Sequence, residues 1–162
     1  MNETRVTIYK TFMFEASHIL PKHPGQCSRL HGHSWKLSVG ISGPIDKETG
    51  FVADYAKLSE LVKAHIIMRV DHQHLGQGMP MLAGLEDEHM LHQPTPFGPS
   101  FYPSSENLVV AFVRILRPLV QELGEGEKVD FNGNVTPATV QLEEVSLDET
   151  CTSKCTWRRS NG

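Results

Sequence analysis

Apolar and polar positions nearly alternate from Arg5 to Phe14, among β-branched and aromatic residues, which predicts a strand. Ser34 to Ser42 repeats the pattern more cleanly. Trp35, Leu37, Val39 and Ile41 share one face, and Ser34, Lys36, Ser38 and Gly40 share the other. His23-Pro-Gly-Gln interrupts the two runs, so Pro21 to Arg29 reads as a loop across which the strands pair antiparallel. The period then changes. Turn signals at Gly43-Pro-Ile-Asp and Glu48-Thr-Gly lead to Asp54, a helix cap. From there Leu58, Leu61, Val62, Ile66 and Val70 form a helical stripe to about Val70. A second helix opens at Ser104 or Ser105 and buries Leu108, Val109, Phe112, Leu116, Leu119 and Val120, with a kink expected at Pro118 in its last turn. Val129 to Leu147 returns to strand composition, with Pro137 at a start or edge. Cys155-Thr-Trp-Arg-Arg is a short final strand. The order is β-β-α-α-β-β in a single domain over 1–162, an α+β fold with helices on one face of an antiparallel sheet. Gly76 to Pro103, rich in Gly, Pro, Met and His, has no period and reads as an unusually long loop.

Charge narrows the function classes. Fifteen Lys and Arg against nineteen Asp and Glu leave a net charge of −4, which argues against a nucleic-acid binder but allows a local basic pocket for a phosphorylated small molecule. No run approaches the ~20 apolar residues of a membrane span. The first residues lack the apolar core of a secretory signal, and three cysteines suit a reducing compartment, so a cytoplasmic location is expected.

The sharpest chemical feature is His31-Gly32-His33. On a strand the period of two puts both imidazoles on one face, and His18, at the end of the preceding strand, falls beside them. Three histidines suit Zn²⁺ with its fourth position open, the arrangement of catalytic sites. Cys27, four residues before His31, is either a general base with a lowered pKa or a fourth ligand closing a structural site; spacing alone leaves both open. Arg29 either favours the thiolate, meets an anionic substrate, or is simply solvated. Asp71-His72 is either a polarised imidazole that moves protons or a cap at a helix C-terminus. His23, His65, His89 and His92 read as ordinary surface or loop residues.

Five motifs in order then resemble one family. They are Phe14-Glu-Ala-Ser-His18, Cys27-Ser-Arg-Leu-His31-Gly-His33, Asp71-His72-Gln-His-Leu75, Pro103-Ser-Ser-Glu-Asn107 and Glu149-Thr-Cys-Thr-Ser-Lys-Cys155. Together they are similar to the 6-pyruvoyltetrahydropterin synthase superfamily, from about Tyr9 to Arg158. The resemblance implies the tunnelling fold, a four-stranded antiparallel sheet with two helices on one face. It implies a homohexamer of two trimers with active sites between subunits, so that Asp71 and His72 serve a neighbour's metal. It also implies Zn²⁺ on His18, His31 and His33, Cys27 as general base, and His72 oriented by Asp71 as proton relay. Glu149 becomes the anchor of a pterin ring, and Ser104, Ser105 and Glu106 part of the pterin pocket or a plain helix cap. The three-residue gap from Cys27 to His31 and the Glu149 to Cys155 ending resemble the branch that turns 7,8-dihydroneopterin triphosphate into 6-carboxytetrahydropterin, acetaldehyde and triphosphate for 7-deazaguanines such as queuosine. The pyruvoyl-forming branch and a non-catalytic zinc-stabilised pterin-binding protein are the alternatives. Cys151 and Cys155 read as a metal-responsive or redox pair, or as plain loop thiols.

Overall fold

In a computed structural model, residues 5–76, 97, 101–124, 127–129, 133, 135–137 and 139–160 are described. Strand β1 (Arg5–His18) and strand β2 (His31–Pro44) run antiparallel over their full length, from Arg5 opposite Pro44 to His18 opposite His31. Both extend beyond the alternating runs expected, at the end that carries the histidines. The chain between them makes a short 3₁₀ turn at Gln26–Ser28.

Helix α1 begins as Tyr55–Val62, capped by the Asp54 carboxylate on the Ala56 N–H at 2.7 Å. It widens into a π turn at Lys63–Ile67 and closes with Met68–Val70. The π turn has a reason in the sequence. The fully buried positions Leu58, Val62, Ile66 and Val70 recur every four residues. On a helix of ~3.6 residues per turn such a stripe drifts steadily round the axis; one wider turn returns it to the core.

Two residues, Gln73–His74, form strand β3, which pairs parallel to β1 at Ala16 and Ser17. Helix α2 spans Ser105–Glu122 with Ser104 as its cap, and it continues through Pro118. A small hairpin follows, β4 (Glu127–Val129) with β5 (Val135–Pro137). Strands β6 (Gln141–Asp148) and β7 (Lys154–Arg158) complete the main sheet in the order β3-β1-β2-β6-β7. Four of these strands are the expected antiparallel ones. The added fifth, β3, and the splitting of 129–147 into separate strands are the departures. Most of the expected long loop, 77–96 and 98–100, lies outside the described residues.

Alternation sorts the sheet into two faces. Phe12, Phe14, Trp35, Leu37, Val39, Ile41, Val145 and Leu147 point inward and pack with Leu58, Ile66, Leu108, Phe112 and Leu116 from the helices. At the sheet end nearest the histidines this core finishes in Phe14 stacked on Trp35, ring centroids 5.9 Å apart. The Trp35 indole N–H donates to the Ala16 carbonyl at 3.1 Å.

Candidate active site

His18, His31 and His33 leave the same inward face as Trp35, so the indole forms their floor, 5.1 Å from the His18 ring and 5.2 Å from the His33 ring. Each offers a ring nitrogen that could hold a metal, and these nitrogens lie within 4.8 Å of one another. His18 is fully buried; His31 and His33 are half-buried.

Hydrogen bonding decides which ring nitrogen is available. His18 Nδ1 lies 2.8 Å from the Pro103 carbonyl, and His31 Nδ1 lies 2.8 Å from the Arg29 carbonyl. A carbonyl only accepts, so both Nδ1 atoms carry the proton and both Nε2 atoms present lone pairs. Those two Nε2 atoms nonetheless face each other at 3.0 Å. His33 Nε2 is buried with no hydrogen-bond partner among the described residues. The Glu149 carboxylate adds a further acceptor, with Oε1 3.4 Å from His18 Nε2 and 3.7 Å from His33 Nε2. Lone pairs crowded in this way need a cation between them. A proton is disfavoured: burial, which strips water from the charged form, lowers the His18 pKa from 6.5 to about 4. Burial lowers His33 as well, with Glu149 partly opposing it. The three imidazoles and a nearby carboxylate therefore fit a divalent ion such as Zn²⁺, and the two carbonyls are the outer contacts that commonly fix ligand tautomers.

Cys27 is half-buried in the 3₁₀ turn, its carbonyl accepting from the Leu20 N–H at 2.9 Å. It is not among the donor atoms of His18, His31 and His33 that lie within 4.8 Å of one another. Asp71 and His72 follow α1 directly and dock on β1. Asp71 Oδ1 accepts from the Glu15 N–H at 2.9 Å and lies 3.0 Å from His72 Nδ1, while the His72 N–H donates to the Glu15 carbonyl at 2.6 Å. The Glu15 N–H is the main cause holding the Asp71 carboxyl below its usual range. His72 has φ of +59°, unusual for a residue with a Cβ, and its side chain is 78% exposed. Asp71 is also the C-cap of α1, its N–H donating to the Ile67 carbonyl at 2.9 Å, so the cap and the docked arrangement coexist.

A cleft of about 440 Å³ is lined by Glu15, Ser17, Ser34, His33, His72 and His74, so it joins one histidine of the triad to the Asp71-His72 segment. His74, to which the sequence assigned no role, has Nδ1 3.0 Å from Ser17 Oγ. Ser104 Oγ accepts from the Asn107 N–H at 3.4 Å as the helix cap, and Ser105 Oγ lies 3.4 Å from Glu106 Oε2. That helix start is tied to the triad through Pro103. Among the ordinary histidines, His23 takes the Gly25 N–H at 3.0 Å and His65 sits in the π turn; His89 and His92 lie outside the described residues. Cys151 and Cys155 are both free thiols, and burial raises the pKa of Cys155.

The family model described as 6-pyruvoyl tetrahydropterin synthase matches residues 7–160. The chain belongs to this family. A 6-carboxy-5,6,7,8-tetrahydropterin synthase of Synechocystis is 44% identical over 80 residues, which are 44% of this chain and 59% of that one. The enzyme of the same name from Haemophilus influenzae is 41% identical over 68 residues, 40% of this chain and 48% of that one. The chain thus matches about half the length of these curated relatives. In structure it is similar to 6-pyruvoyl tetrahydropterin synthase of Caenorhabditis elegans, with a TM-score of 0.65 and 20% identity, over 99% of both chains. The fold is the tunnelling fold of the family.

Proposed function

We propose that the chain is a zinc-dependent lyase acting on 7,8-dihydroneopterin triphosphate, releasing 6-carboxytetrahydropterin, acetaldehyde and triphosphate with uptake of water, on the route to 7-deazaguanines such as queuosine. The observation that carries this reading is the convergence of His18, His31 and His33 lone pairs with the Glu149 carboxylate at one end of the sheet. Support for the carboxy branch comes from the names of the Synechocystis and Haemophilus relatives and from the three residues between Cys27 and His31.

His18, His31 and His33 would hold Zn²⁺, which supplies Lewis acidity toward side-chain oxygens of the substrate. Cys27 takes protons from substrate carbon at Sγ. His72, with Nδ1 against Asp71, has Nε2 left to carry a proton to or from the substrate. Glu149 accepts the paired ring and amino N–H groups of a pterin, a contact suited to a carboxylate beside the metal. Ser104, Ser105 and Glu106 would contribute to the pterin pocket, with the Ser104 hydroxyl already engaged as a cap. In the assembly expected of the family, a cytoplasmic homohexamer of two trimers, Asp71 and His72 serve the triad of a neighbouring subunit.

The experiment is product analysis after incubation with 7,8-dihydroneopterin triphosphate. Acetaldehyde formed in step with 6-carboxytetrahydropterin supports the reading; 6-pyruvoyltetrahydropterin without acetaldehyde places the chain in the pyruvoyl branch instead.

A further inference from the structure

Gly76 and Pro103 meet beside the triad, and both are buried. A Cβ placed on Gly76 would lie 2.9 Å from Pro103 Cγ and 3.3 Å from its Cδ. Carbon atoms rest against one another at about 3.5–4.0 Å, so no side chain fits at this position while Pro103 stays in place. Backbone shape is not the reason for the glycine: positive φ is found at Gly50 and Gly133, not at Gly76. Space is the reason. A Cβ on Gly40 would also strike a neighbour, but that neighbour is the exposed ring of Tyr9, a side chain that can swing aside.

Pro103 cannot swing aside. Its ring is closed on its own backbone, and the peptides that flank it are tied to the start of α2. The Tyr102 carbonyl accepts from the Ser104 N–H at 3.0 Å and from Asn107 Nδ2 at 2.9 Å, and the Ser104 carbonyl accepts from the Leu108 N–H at 3.0 Å. Gly76 is held from the other side, because it follows β3. There the Leu75 N–H donates to the Ser17 carbonyl at 2.9 Å, and His74 Nδ1 lies 3.0 Å from Ser17 Oγ. His18 therefore stands between two supports that touch at Gly76. Strand β3 holds the residue before it, and the Pro103 carbonyl holds its Nδ1 at 2.8 Å. His31 is oriented separately, by the Arg29 carbonyl.

We infer that Gly76 is a positioning residue for His18: its missing side chain lets Pro103 seat its carbonyl on the imidazole, which fixes the nitrogen that His18 turns toward His31 and His33. A carbon added at position 76 displaces the proline ring, and the ring carries its carbonyl with it. For its consequence this rests on the metal-holding role proposed for the triad; for its cause it rests on packing alone. Contacts of this outer kind commonly change metal affinity by about 10–100-fold when lost.

The test has two readouts: ring-nitrogen chemical shifts by NMR on the metal-free protein, and zinc affinity by competition with a chelator. Without metal, His18 and His31 of the wild type should both carry the proton on Nδ1. In Gly76→Ala the His18 signals are expected to move toward a mixture of tautomers while those of His31 stay. Zinc should then bind at least about tenfold more weakly. Pro103→Ala removes the atoms that the new carbon strikes, so Gly76→Ala combined with Pro103→Ala is expected to recover most of the lost affinity. Where Gly76→Ala fails to fold, Pro103→Ala alone decides. With the ring gone the carbonyl is loosely seated, and a shift confined to His18 with severalfold weaker zinc is expected. Signals and affinity unchanged in Gly76→Ala, or in Pro103→Ala where the first fails, overturn the inference. So do His18 and His31 signals that move together. If the wild type takes up zinc and forms product but the His18 signals ignore the substitution, the positioning role falls and the reaction stands. If His18 alone responds but the wild type takes up no zinc, the positioning role stands and the metal reading falls.

Discussion

His18 and Cys27 lie nine positions apart in the chain and carry different loads. The His18 imidazole is kept neutral by burial and oriented by the Pro103 carbonyl, which suits it to the ligand role proposed for it. Cys27 stands outside the three-histidine donor group, which leaves its thiol available for proton chemistry. Cys27→Ala is therefore expected to keep its zinc while losing activity by at least a hundredfold; zinc loss in that variant, read by metal analysis, would return Cys27 to the ligand set. Asp71 gives a prediction in pH. Its folded-state carboxyl titrates below its unfolded value, so the stability it contributes is present above the unfolded value near 3.8 and is lost as pH falls through the lower folded one. Melting temperatures from pH 2.5 to 6 should show wild type more stable than Asp71→Asn at the upper end and the gap closing toward the lower. An unchanging gap would mean that the Glu15 N–H contact stabilises without charge. At this scale the histidine triad was readable because a period of two fixes which residues share a strand face. The Pro103 carbonyl was not, because that contact joins positions 85 residues apart through a stretch with no period.

Elements carry most of the folding energy. Phe112 on α2 is fully buried, with its ring edge-on to Phe14 at 6.4 Å and near Phe97 at 6.0 Å. Phe112→Ala should cost about 3–5 kcal/mol, measurable by denaturant unfolding of the zinc-free chain; a loss below about 1 kcal/mol would show that the core collapses around the gap. The central runs of the long strands, both helix caps and the helix lengths were readable from alternation and from Asp54 and Ser104, whereas the strand extensions that carry the histidines were not part of the alternating runs. The π turn was readable in principle, since the four-residue recurrence of Leu58, Val62, Ile66 and Val70 cannot keep one face on a regular helix. Strand β3 was not. Its two residues hold no strand pattern of their own, and the backbone of β1 recruits them once Asp71 and His72 have docked on Glu15.

Taken whole, the molecule sets a cluster of three histidines that could hold a metal at one end of a sheet, on an indole floor. The same sheet holds Asp71 and His72 on the flank of β1, where one cleft joins them to His33. The measurement that tests this account most directly is zinc content and product identity on a single sample given 7,8-dihydroneopterin triphosphate. About one zinc per chain is expected, with acetaldehyde and 6-carboxytetrahydropterin appearing together, and loss of both metal and products in His33→Ala. Full zinc occupancy without turnover, or turnover undiminished in metal-free protein, would contradict it.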